Sequence, residues 1–129
     1  MAIHNPYQKY QHNSVMSASP EELTQMLYSG GVRFIRQGIE CIENKEVENA
    51  HKAIVKAQEI YTHLADTLNN EIELAKQLSS LYDFMLRQLM QANSQKDAAL
   101  LMEVLALAEE LRDTWQEAMQ HARRQAQAG

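Results

Sequence analysis

Residues 45–68, KEVENAHKAIVKAQEIYTHLADTL, decide the fold of this 129-residue chain. Val47, Ala50, Ile54, Ala57, Tyr61, Leu64 and Leu68 follow one another in alternating steps of three and four. That alternation keeps the apolar side chains on one narrow stripe of an α-helix, the seam by which a helix joins a bundle. A half-buried strand needs a period of two instead. Since helical stability in a protein comes mostly from packing of the apolar face, the stripe calls for further helices to cover it.

The flanking sequence supplies them. Upstream, Ser19-Pro20-Glu21-Glu22 is a helix start, with Ser19 as N-cap, Pro20 at the first helical position and Glu22 closing a capping box. The helix it opens runs to about Asn44, with Leu23, Met26, Leu27, Gly30, Phe34, Ile35, Gly38 and Ile42 at helical spacing. Gly30, Gly31 and Gly38 each cost roughly 1 kcal/mol relative to Ala in a helix interior. They mark either close helix–helix packing or a hinge or groove beside Gly30-Gly31. Downstream, Asn70 with Glu73 is a cap for a third helix over about 71–92, whose seam is Leu74, Leu78, Leu81 and Met85. Asn93-Ser94-Gln95 reads as the next break, with Ser94 and Asp97 in cap spacing. Leu101, Val104, Ala108, Leu111, Trp115, Ala118 and Ala122 then form the stripe of a fourth helix. No proline follows Pro20, so nothing after the first helical position is forced out of helix. Short connections force neighbouring helices to be antiparallel, so the expectation is an all-α, antiparallel up-down four-helix bundle over residues 19–125. Residues 126–129 are read as a flexible end.

Residues 1–18, MAIHNPYQKYQHNSVMSA, have no helical or strand period yet carry Tyr7, Tyr10, Val15 and Met16. A segment that never orders is poor in such residues, so this one is read as a docking segment. Asn5 as a cap, Pro6 at the first helical position and Gln8 at the third allow a short extra helix with Tyr7 and Tyr10 on one side. The third helix is the second oddity. In Leu81-Tyr82-Asp83-Phe84-Met85-Leu86-Arg87-Gln88-Leu89-Met90, seven of ten residues are apolar and they surround most of the helix. Either this helix is the most central of the four, or one side, Tyr82, Leu86 and Leu89, lines a groove for a partner or for the chain's own N-terminal segment. The seven methionines fit a surface that accommodates irregular partners, as well as ordinary gap filling.

Composition narrows the function classes. The formal net charge is −5 and the basic residues are scattered, which argues against nucleic acid, whose phosphates need clustered Lys and Arg. Cys41 is the only cysteine and the N-terminus is polar, so a reducing cytoplasmic setting is expected. The longest greasy run, Ala98 to Ala108, is interrupted by Glu103 and falls short of the ~20 residues of a membrane span. No catalytic constellation emerges. Glu48 and His51 make a single Glu-x-x-His, whereas a di-iron carboxylate site needs two plus further inward glutamates. Cys41 lacks a neighbouring base that would activate it. His51 leaves a phosphorelay bundle as one alternative, and a self-associating bundle with the third helix as a homodimer face as another. No cofactor or metal is called for.

Asn5-Pro6-Tyr7-Gln8-Lys9-Tyr10, then Ala18-Ser19-Pro20-Glu21-Glu22-Leu23 leading to Met26-Leu27-Tyr28, resemble the flagellar secretion chaperone family FliS. The resemblance continues through Ser80-Leu81-Tyr82-Asp83-Phe84-Met85 and Glu110-Leu111-Arg112-Asp113-Thr114-Trp115, in the same order over nearly the whole chain. It implies a cytoplasmic helical bundle that binds the disordered C-terminal segment of flagellin in apolar grooves and prevents premature polymerisation. It further implies delivery to the type III export gate, through the cytoplasmic domain of FlhA, with no enzymatic activity. By the same resemblance Tyr7 and Tyr10 belong to a segment that covers part of the client groove, and Leu81, Tyr82 and Met85 are groove candidates.

Overall fold

The computed structural model describes residues 17–69 and 72–128. Four α-helices make up almost all of them: α1 Pro20–Glu43, α2 Val47–Asp66, α3 Glu73–Gln95 and α4 Ala98–Ala128. Helix α1 starts as its sequence dictates. Ser19 is extended, and its Oγ accepts the backbone N–H of Glu22 at 3.2 Å, the serine half of the expected capping box. Asn70, the expected cap of the third helix, lies outside the described residues. Helix α3 begins at Glu73, and Ile72 in the N-cap position makes no side-chain bond.

The two tight connections end in the same way. Lys45 and Lys96 are the non-glycine residues with left-handed backbone among those described, at φ 60° and 50°. After α1, Glu46 N–H bonds to Cys41 C=O at 2.8 Å and Lys45 N–H to Ile42 C=O at 3.0 Å. After α3, Asp97 N–H bonds to Ala92 C=O at 3.0 Å and Lys96 N–H to Asn93 C=O at 3.4 Å. Both are the 6→1 and 5→2 bonds of a Schellman motif. The second connection corrects the expected break at Asn93-Ser94-Gln95, because those residues complete the last turn of α3. Exposed polar side chains do not stop a helix. What stops it is the left-handed Lys96, followed by Asp97, whose Oδ1 accepts the N–H of Leu100 at 3.1 Å and so caps α4. Left-handed backbone costs an L-residue roughly 1–2 kcal/mol that glycine avoids. Lys45→Gly is therefore expected to raise the melting temperature by a few degrees, read from thermal circular dichroism. An unchanged or lower midpoint would mean that the Lys45 side chain returns more than the backbone strain removes.

Around the bundle, α1 packs between α2 and α4, and α3 packs between the same two helices, so α1 and α3 are diagonal. The α3–α4 seam is the sparsest of the four. The antiparallel up-down arrangement shows in the register: Gly30 lies against Ile60 and Gly38 against Ile54, while on the other side Gly38 lies against Leu101 and Trp115 Nε1 donates to Glu21 C=O at 3.3 Å. The core is Ile35, Ile54, Ala57, Tyr61, Met85, Leu89, Leu101 and their neighbours. The α2 seam read from the sequence holds from Ala50 through Leu64, with Val47 at the first turn exposed.

Close packing is what the glycines provide. A Cβ on Gly38 would lie 3.1 Å from Ile54 Cγ1 and 3.3 Å from Leu101 Cδ1, so α1 touches two neighbours there. A Cβ on Gly31 would lie 2.8 Å from Tyr61 Cζ, inside contact distance of a rigid ring. Three tyrosines gather at this level. Tyr28 and Tyr82 hydroxyls hydrogen-bond across the diagonal, and the Tyr61 and Tyr82 rings are 6.3 Å apart. The Tyr61 hydroxyl is buried with no hydrogen-bond partner among the described residues. Burial pushes all three phenols above their ordinary value, and for Tyr82 the bond to Tyr28 adds to the rise.

Candidate functional site

The residues expected to form a groove divide into three groups. Tyr7, Tyr10, Val15 and Met16 lie outside the described residues. Tyr82, Met85 and Leu89 are core side chains, at most 1% exposed, and offer no surface to a partner in this state. Leu81 and Leu86 are half-buried against that core. The apolar surplus of α3 surfaces elsewhere, at Phe84 and Met90, with Ile72 and Leu74 at the start of the helix. Helix α3 is thus no more central than its neighbours. Its extra apolar residues are spread over two sides, and the sequence period could not say which side faces outward.

A better-formed apolar surface lies on α1. Leu23, Met26, Gly30 and Phe34 line a groove whose far wall is Ile60 of α2. Gly30 sets its floor, because a Cβ there would come within 3.1 Å of Ile60 Cδ1. The signal for this groove was present in the stripe of the first helix. Met26 precedes Ile35 by nine residues, two and a half turns at ~3.6 residues per turn, so the two point to opposite sides. Ile35 is fully buried and Met26 is exposed. One helix face cannot hold both. Phe34, half-buried at one end of the groove, carries two cations: Arg33 Cζ lies 4.9 Å and Lys56 Nζ 5.3 Å from its ring centroid.

On the other side of Met26, a second groove separates α1 from the C-terminal half of α4. Met26 and Gln25 are common to both. Its remaining walls are Glu21 and Glu22 on α1 and Gln116, Met119, Gln120 and Arg123 on α4. Beside it Trp115 ties α4 to α1, with its ring 6.1 Å from Tyr28 and its indole N–H on the Glu21 carbonyl. The methionine ridge joins two shallow, mostly apolar troughs into one surface that crosses the start of α1.

The polar groups offer no chemistry of their own. His51 is exposed on α2, and its Nδ1 lies 2.9 Å from Asn93 Nδ2, which donates to it. Burial, with the carboxylates of Glu46 and Glu40, pushes the Cys41 thiol up, away from the reactive thiolate. Among the described residues no three His, Cys, Asp or Glu side chains are grouped as a metal would need, and no helix is long and apolar enough to cross a membrane.

Comparison with known proteins matches this arrangement to one family. Residues 3–122 match the family described as "Flagellar protein FliS". The chain is 45% identical over 124 residues to the flagellar secretion chaperone FliS of Bacillus subtilis, covering 96% of this chain and 93% of that protein. It is 32% identical to the protein of that name from Vibrio cholerae, covering 84% and 82% of the two chains. The counterpart in Salmonella typhimurium is 35% identical, with 81% and 80% covered. A crystal structure of a bacterial flagellar chaperone superposes with a TM-score of 0.73 over 90% of this chain and 96% of the other, at 20% identity, so that the fold itself is shared. A helical bundle with apolar troughs and no catalytic grouping among the described residues accords with that result: the chain belongs to the FliS family of flagellar secretion chaperones, which are not enzymes.

Proposed function

We propose that this chain is a flagellar export chaperone of the bacterial cytosol that holds the C-terminal segment of flagellin before assembly. It prevents premature polymerisation and promotes delivery to the type III export gate, with the cytoplasmic domain of FlhA as second partner. One observation carries the reading: the continuous apolar surface of Leu23, Met26, Phe34 and Ile60, reaching across Met26 to Met119. Solvent-facing apolar troughs of this kind mark an interaction site. Methionines suit a client that must be accommodated without a fixed shape of its own. Half-buried Leu81 and Leu86, beside exposed Phe84, give α3 an apolar patch of its own.

Residues 1–18 serve as a cover for part of this surface in the free chain, with Tyr7, Tyr10, Val15 and Met16 as its apolar contacts. The support is positional, since they join the bundle at Ser19, about one turn before Leu23 and two before Met26 of the trough. Calorimetry with a flagellin C-terminal peptide tests both statements. The full chain is expected to bind with sub-micromolar affinity and a large negative heat-capacity change, because ordering a disordered client costs ~2–5 kcal/mol or more and only extensive apolar burial offsets that. The chain lacking residues 1–18 should keep its helicity and bind an apolar dye more strongly. No heat with the peptide would refute the client, and collapse of the truncated bundle would make the segment part of the core.

A further inference from the structure

We propose that Met26 is an oxidation-sensitive site, at which hydrogen peroxide converts the thioether to a sulfoxide and so switches off the apolar surface around it. The inference rests on the client-binding reading above and adds a means of regulating that surface. Among the described methionines, Met85 is fully buried and Met119 half-buried, while Met26, Met90 and Met102 are 36%, 59% and 50% exposed. An oxidant in solution meets the exposed thioethers first. Met90 lines a separate groove with His51 and Val55, and Met102 lines neither the α1–α2 trough nor the α1–α4 groove. Of the three exposed methionines, only Met26 stands on the candidate client surface, and it belongs to both of its parts.

The step needs no catalytic group on this chain. A sulfur lone pair attacks one peroxide oxygen, the O–O bond breaks, and the departing hydroxide takes the proton of the transferred oxygen and leaves as water. Sulfur loses two electrons and the peroxide gains them. Reversal takes two electrons from thiols through a methionine sulfoxide reductase and again releases water. The product is a polar, chiral group in place of a flexible apolar one, and its oxygen seeks a hydrogen-bond donor. The two sides of Met26 differ in what they offer. Toward the trough, Gln25 is already bonded to Ser29 at 3.4 Å, and Arg33 is two turns along α1, over the Phe34 ring. Toward α4 stand Gln116, Gln120 and Arg123, whose side chains have no hydrogen bond or ion pair among the described residues, while Glu21 and Glu22 only accept. A sulfoxide at Met26 is drawn to those free donors and stands across the junction of the two grooves. An apolar client must then bury the sulfoxide or pull it from its donors, and either costs affinity.

The test treats the full chain with increasing hydrogen peroxide and counts sulfoxide at each methionine by peptide mass spectrometry. Binding of the flagellin C-terminal peptide is read by calorimetry, and binding of an anilinonaphthalene sulfonate dye by fluorescence. Conversion of Met26 is expected to weaken the peptide about tenfold and to lower dye binding, with helicity by circular dichroism unchanged. A methionine sulfoxide reductase with dithiothreitol should restore both. Met26→Leu keeps the volume and apolarity of the position, so it should hold its affinity within about twofold through the same treatment, although Met90, Met102 and Met119 remain oxidisable. Met26→Gln should reproduce the loss with no oxidant. The inference is overturned if Met26 stays a thioether while Met90 and Met102 are fully converted. Full binding after Met26 is converted, or an equal loss in Met26→Leu, overturns it as well. No heat from the peptide with the untreated chain strikes the client reading instead, and the dye then decides between native chain and Met26→Leu by the same comparison.

Discussion

Above pH 10 the folded chain is expected to lose stability with a slope of up to about 4 kcal/mol per pH unit, the ceiling set by three buried phenols. The sign follows from where Tyr28, Tyr61 and Tyr82 lie. All three are at most 4% exposed, and burial raises each phenol in the folded state above its ordinary value near 10. The unfolded chain releases these protons first, so the stabilising contribution is complete below pH 10 and drains away as pH climbs toward the raised values. Each such group contributes a slope of ~1.4 kcal/mol per unit, and the three share one region of the core. Urea melts at pH 8, 10 and 11 measure it. Replacing Tyr28 and Tyr82 together by Phe removes the hydrogen-bonded pair without orphaning either member, and should cut the slope to about a third. A slope that survives in that variant would place the alkaline transition elsewhere.

Gly31→Ala is expected to cost about 2 kcal/mol, although alanine is the better helix former. The propensity gain is ~1 kcal/mol, and the cost of forcing a methyl group into a packed core reaches ~3 kcal/mol. The second term wins because of what the methyl meets. It lands against the fully buried Tyr61, whose ring is backed by Tyr82 and cannot yield as a flexible chain end does. Gly30 one position earlier gives the contrast. Its new methyl would meet only the Cδ1 end of half-buried Ile60, so Gly30→Ala should be neutral or stabilising. Tyr61→Phe deletes the atom nearest the Gly31 methyl together with a buried hydroxyl that has no partner among the described residues. The double variant should therefore be more stable than Gly31→Ala by more than Tyr61→Phe gains on its own. Strict additivity in the denaturation cycle would show that the clash is relieved by some other movement.

These particulars show which parts of the molecule can be read from residue order. The α2 seam and the Ser19 cap follow from spacing and side-chain chemistry, and the structure bears them out; at the glycines spacing left close packing and a groove open, and the structure has close packing at Gly31 and Gly38 and a groove over Gly30. The end of α3 does not follow in that way. A left-handed lysine at position 96 carries no compositional sign, whereas Asn93 and Ser94 look like a break and are helical. Tyr82 and Leu89 were equally opaque, because a helix that is apolar nearly all round does not declare which side its neighbours cover. The groove at Met26 and Phe34 was hidden by the opposite problem: both belong to an apolar run wider than one face, and only the position of α2 decides which members are left outside. The proposal of a flagellin client is beyond the reach of such physics, since an apolar trough names no partner, and it draws on the family instead.

The order in which the helices meet has a consequence for synthesis. Three of the four seams join helices consecutive in the chain, and such local pairings form early and quickly. The fourth joins α1 to α4 and brings Glu21 to Trp115 across most of the sequence. The trough between Met26 and Met119 exists only on that seam. During translation, α1 to α3 can collapse while the last thirty-one-residue helix is still being made. A chain stalled before Trp115 can already hold α1 to α3 together, yet it has no such trough, so the surface shared by α1 and α4 arrives only once α4 is made.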